Sequence, residues 1–75
     1  MKIKIESTEK IVELNGVPAR VWEGRTDGEV PVHCFVTRIS PQTNDPELLA
    51  AFEKEMQETR APSLDVLSYP LRMVL

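Results

Sequence analysis

Two dipeptides, Asn15-Gly16 and Asp27-Gly28, punctuate an otherwise β-prone run from Lys10 to Ile39, and they constrain the fold more than any other feature of the chain. Asn-Gly and Asp-Gly tolerate the positive φ angles of a two-residue hairpin turn, and each stands here between runs rich in Val, Ile, Trp and Phe. Two such turns fold three strands into an antiparallel meander. Upstream, KIKIES alternates lysine and isoleucine and reads as a half-buried edge strand, with a bend at Ser7-Thr8 before KIVEL. Pro18 donates no hydrogen bond, so it is expected at a non-bonded position, and it marks the place where the register is most open to a slip.

If both turns are two-residue loops, the register follows. Leu14 opposes Val17, Val12 opposes Ala19 and Lys10 opposes Val21. Across the second turn Trp22 opposes His33, Val21 opposes Cys34 and Arg20 opposes Phe35. Side chains alternate between the two faces of a sheet. One face then carries Val12, Leu14, Val17, Ala19, Val21, Val32, Cys34 and Val36, all small and mostly β-branched. The other carries Ile11, Arg20, Trp22, His33, Phe35, Thr37 and Ile39, with Glu9 and Glu13 nearby. These seven residues form the expected binding or interface surface, because aromatic and aliphatic side chains flanked by Arg and Glu are the usual composition of a recognition patch.

After Pro41 the period changes from two to three or four. Asp45 as N-cap, Pro46 at the first helical position and Glu47 at the positive end of the dipole open an amphipathic helix of about four turns. Its stripe of Leu48, Phe52 and Met56 is expected to cover the small-residue face of the sheet. The C-terminal SYPLRMVL alternates Leu71, Met73 and Leu75 with polar and β-branched neighbours, and reads as a last strand. The expected architecture is therefore one small α+β domain over residues 1–75: an antiparallel sheet of about four strands, a β-meander plus a C-terminal strand, with one helix packed on one face.

Size shapes the functional reading. A chain of 75 residues buries a modest core and gains from a staple or a second subunit. One cysteine precludes an internal disulfide. With one histidine, it is too few for a structural zinc site. Self-association is the remaining route, and a homodimer is expected. The net charge of -3 argues against direct nucleic-acid binding, no apolar run reaches the length of a membrane span, and a lone cysteine without an apolar leader fits the cytoplasm.

His33 and Cys34 are the chain's only histidine and cysteine. As neighbours on a strand they point to opposite faces, so they do not form a nucleophilic dyad. Cys34 reads as a small core hydrophobe, and His33 as a surface residue packed on Trp22, with a pH-sensitive contact as the sharper alternative. Trp22 is either core or a binding hot spot. Arg20, Arg25 and Arg38 do not converge on one face under this register. The helix acids Glu47, Glu53, Glu55 and Glu58 read as a solvated face. No phosphate loop, metal motif or catalytic set emerges, and no cofactor and no enzymatic activity are expected.

The segments KIVELNGVPARVWEG, VPVHCFVTRI and APSLDV with YPLRMVL resemble a group of small uncharacterised proteins encoded in phage and prophage genomes of proteobacteria. The resemblance spans nearly the whole chain and brings no catalytic motif. It implies a context in which small proteins bind and disable a host protein, including defence complexes. Two further readings stand beside that one: a nucleotide-like ligand binder, in which arginines and aromatics line a shared cleft, and a virion or scaffold component.

Overall fold

A computed structural model of the chain describes residues 1–64. β1 (Ile3–Leu14), β2 (Val17–Thr26) and β3 (Pro31–Val36) form a three-stranded antiparallel sheet in that order, followed by the helix α1 (Pro46–Met56). The α+β class and the meander are as expected. The proposed C-terminal strand at 68–75 lies outside the described residues.

The first turn follows its dipeptide. Asn15 and Gly16 take φ values of 50° and 82°, and Leu14 pairs with Val17, Glu13 with Pro18, Val12 with Ala19 and Ile11 with Arg20. Positive φ at both central positions is the signature of the hairpin turn whose twist matches that of the strands.

Beyond Ile11 the ladder departs from the expected register. Ser7 pairs with Trp22, so Thr8, Glu9 and Lys10 of β1 stand against the single residue Val21 of β2. Extra residues on one strand make a bulge that bends it and re-aims its side chains. This bulge turns Thr8 fully inward, at 0% exposure. The Thr8 hydroxyl donates to the Val21 carbonyl at 2.7 Å and accepts from the Lys10 amide at 3.3 Å, and the Arg20 guanidinium donates to the Thr8 carbonyl at 2.8 Å. The expected bend at Ser7-Thr8 is thus a bulge inside one continuous strand.

The second turn also differs, and it shifts the register. Thr26 pairs with Val30 through its amide, and the Glu29 amide donates to the Thr26 carbonyl at 2.9 Å. Asp27, Gly28 and Glu29 therefore make a three-residue loop, with Glu29 in the left-handed region at φ 64°. A turn of this length ends on a left-handed residue, and here that residue is Glu29. The added residue slides β3 by one position: Trp22 pairs with Cys34, Val21 with Phe35, Arg20 with Val36 and Glu23 with His33. Every side chain of β3 changes faces relative to the expected register. The slip occurs at this turn, not at Pro18.

Val12, Ala19 and Val21 form the buried core, with Leu14 and Phe35 packed against it. Burial of Val12 at 2% and Val21 at 0% exposure contributes about 1.5–3 kcal/mol each.

α1 starts as its sequence directs. The Asp45 carboxylate accepts the Glu47 amide at 2.9 Å, Pro46 occupies the first turn, and Glu47 sits at the positive end of the helix dipole. The helix runs 11 residues and closes at Gln57. None of its residues is buried; Leu49 and Phe52 are half-buried, and Leu48 and Met56 are exposed. Its last turn stands by the Arg20 and Trp22 side of the sheet, where Glu55 and Met56 border a groove with those residues.

Past the helix, the chain comes alongside β1 at the bulge. The Glu9 amide donates to the Arg60 carbonyl at 3.0 Å, the Arg60 amide donates to the Ser7 carbonyl at 3.2 Å, and the Ser7 hydroxyl donates to the Glu58 carbonyl at 3.0 Å. This parallel bridge gives the looser part of β1 a partner on its outer side.

Candidate functional site

The surface built around Trp22 is the candidate site. β2 presents Arg20 and Trp22 to one side, β1 contributes Ser7 and Ile11, and the chain leaving β3 adds Val36, Thr37, Arg38 and Ile39. With Glu55 and Met56 from the last turn of α1, these line a groove of about 220 Å³. Its apolar members include Ile11, Ile39 and Met56, which are 47%, 38% and 43% exposed. A second, wider depression of about 440 Å³ continues past Trp22 and is lined by Glu6, Ser7, Glu55, Glu58, Thr59 and Arg60. Ser7, Trp22 and Glu55 border both.

Of the seven residues expected on this surface, Ile11, Arg20, Trp22, Thr37 and Ile39 line the groove together. His33 and Phe35 do not. The one-residue slip of β3 carries them to the other face, where Phe35 packs against the Val12, Ala19 and Val21 core and His33 faces Glu23. Cys34 takes the place expected for His33: it pairs with Trp22, half-buried and with a free thiol. Arg38, which the expected register set apart from Arg20, borders the same groove as Arg20.

A second polar cluster, scarcely signalled in the sequence, lies on the opposite face. Glu23, with a side chain 12% exposed, accepts from the Arg60 guanidinium at 2.9 Å, the Ser63 amide at 3.1 Å and the Ser63 hydroxyl at 2.5 Å. His33 Nε2 stands 3.7 Å from Glu23 Oε1, the oxygen that also accepts from the Ser63 hydroxyl. Burial works against the charged carboxylate, but the Ser63 hydroxyl and amide and the Arg60 guanidinium outweigh it, so Glu23 titrates below the ordinary glutamate range. A serine, a histidine and a carboxylate thus meet, but the carboxylate stands between the other two. Activation of a serine nucleophile needs the imidazole in the middle, as the base. The cluster instead ties β2 and β3 to the chain that follows α1. Its only signal in the sequence is a lone glutamate on a strand otherwise rich in apolar and basic residues.

Among the described residues, no group of three or more His, Cys, Asp or Glu side chains is placed to hold a metal ion, and no helix is long and apolar enough to cross a membrane. The fold and groove define a small α+β chain that displays an apolar, arginine-flanked surface. Comparison with protein-family models, curated proteins and solved structures finds no match to the chain.

Proposed function

We infer that this chain is a non-enzymatic binding protein whose Trp22 groove is its recognition surface. One observation carries the reading: Trp22, Ile11, Ile39 and Met56 line an open groove beside Arg20 and Arg38. Tryptophan and arginine are the residue types that most often dominate binding energy at an interface. The chain acts as a homodimer in the cytoplasm and, as its resemblance to small phage proteins implies, engages a host protein to inhibit or modulate it.

Affinity capture from a bacterial lysate tests this reading when the wild-type chain is run beside Trp22→Ala. The expected result is a protein retained in stoichiometric amount by the wild type, lost with the folded variant, and able to bind the purified chain. Equal retention by both forms would remove the groove from recognition.

The same groove favours a second reading as a nucleotide-like ligand site, since an indole and two guanidinium groups share one cavity of about 220 Å³. In that case nucleotides raise the thermal midpoint of the wild-type chain by mass action and leave that of Arg38→Ala unmoved.

A further inference from the structure

The charges bordering the Trp22 groove do not cancel. Ile11 pairs with Arg20 and Arg20 with Val36, so these three stand in one row across the sheet. Arg20 donates to the Thr8 carbonyl at 2.8 Å through one nitrogen. The bulge thereby holds the guanidinium in place and leaves its other N–H groups to donate. Arg38, just past the end of β3, borders the same groove and is exposed. Every ion pair among the described residues involves Glu23 or Arg60, so neither Arg20 nor Arg38 is paired with a carboxylate there. Glu55 is the one acidic residue in the described lining. Two guanidinium groups stand with one carboxylate, and one positive charge is in surplus. Most of the remaining lining is apolar, with Ile11, Val36, Ile39 and Met56 around the Trp22 indole.

A complementary occupant carries one negative charge together with apolar bulk. The groove, at about 220 Å³, is smaller than the roughly 300–1,000 Å³ of sites that enclose a whole small molecule. It has room for a few side chains. A phosphate group, with nearly two charges, exceeds the surplus and meets Glu55. A strongly acidic segment meets Glu55 as well and, past Trp22, Glu58 of the second depression. One carboxylate beside apolar side chains incurs neither repulsion. We propose that the Trp22 groove docks a short segment of a partner protein in which a single Asp or Glu stands beside apolar residues. Arg20 and Arg38 receive the carboxylate, for which the guanidinium fork is suited, and Ile11, Trp22, Ile39 and Met56 receive the apolar side chains. Because Thr8 already fixes Arg20, ordering that side chain costs little on binding. This rests on the recognition-surface reading above and specifies the partner's chemistry.

Selection from a random-peptide display library on the immobilised full chain tests the proposal. Enriched peptides are synthesised and titrated into dilute chain, where self-association does not compete for the groove. The emission of Trp22, the chain's only tryptophan, reads occupancy. The expected peptides carry one acid next to aliphatic or aromatic residues. Replacing that acid by its amide should weaken binding about tenfold, the usual size of a lost hydrogen bond to a charged group. Arg38→Gln, checked for folding by circular dichroism, should weaken the acidic peptide by a similar factor and leave the amide peptide almost unchanged. Selected peptides without an acid, or an acid whose loss Arg38→Gln does not mirror, overturn the proposal. If Trp22→Ala still abolishes their binding, the groove keeps its recognition role; if it does not, both readings fall. A library that enriches nothing also overturns the proposal and leaves the lysate capture to decide the wider reading. ATP binding more tightly than every selected peptide overturns it in favour of the nucleotide site.

Discussion

Gly24 pairs with Ile5 in the outer part of β1, and a methyl group there would overlap the Lys4 carbonyl oxygen and come within 2.7 Å of the Ile5 Cα. Both are backbone atoms, so no side-chain rotation relieves the contact. Gly24→Ala is expected to cost about 3 kcal/mol, the upper range of overpacking, by prising β1 from β2. Urea denaturation reads this directly, and an unchanged midpoint would show that the strands separate at little cost. The opposite sign is expected at Glu29. A side chain in the left-handed region costs about 1–2 kcal/mol, and glycine avoids that cost while adding chain entropy to the unfolded state. Glu29→Gly should therefore stabilise the chain by about 0.5–1 kcal/mol in the same assay. The backbone carbonyl of Glu29, which accepts from Arg25 at 3.4 Å, remains available in the variant. These two residues also show where a sequence stops being readable. Asp27-Gly28 advertises a turn, but it suits both a two-residue and a three-residue loop, and no propensity places a glutamate in the left-handed position. One residue of loop length then decides whether Trp22 meets His33 or Cys34.

At the scale of elements, the strands and helix follow from local chemistry, while their joints depend on contacts distant in sequence. Asn15-Gly16, the Asp45 cap and Pro46 act within a few residues and were readable. The bulge at Thr8 was not, because its buried hydroxyl is satisfied by Val21 across the sheet. The Glu23 cluster was equally hidden: Arg60 and Ser63 reach it from beyond the helix, separated from it by 37 and 40 positions. That cluster makes the joint between the sheet and the following chain dependent on pH. Since the folded-state pKa of Glu23 lies below its ordinary value of 4.5, folding favours the ionised form. The stabilisation is present in full above the unfolded-state pKa and is lost as pH falls through the folded-state value. Stability should accordingly decline as the solution is acidified from about pH 4.5 downward. Glu23→Gln keeps the shape and removes the titration, so its acid decline should be shallower than that of the wild type, alongside lower stability at neutral pH. Parallel acid curves for the two proteins would assign the decline to other carboxylates.

For the whole molecule, the relation of core to surface is the governing fact. The buried apolar residues among those described are Val12, Ala19 and Val21, while Ile11, Ile39, Leu48 and Met56 remain exposed on one 75-residue chain. Chain length implies a modest core, and the alternation set by the two turns implies a free apolar face. The structure retains that face around Trp22, Ile11 and Ile39 even though the slip of β3 removed two of its expected members. The face survives because β1 and β2 set it through the first turn, whereas His33 and Phe35 depended on the second. A chain that supplements a small core by pairing should show stability that depends on its own concentration. Each tenfold rise in concentration above the dimer dissociation constant is expected to add about 1.4 kcal/mol per dimer to the unfolding free energy. Ile39→Ser tests whether the groove is responsible, since this residue is 38% exposed and outside the buried cluster. The variant should match the wild-type midpoint in dilute solution and fall behind it as concentration rises. Wild-type midpoints that do not move with concentration, measured by thermal denaturation over a wide dilution series, would leave the monomer to stand on its own small core.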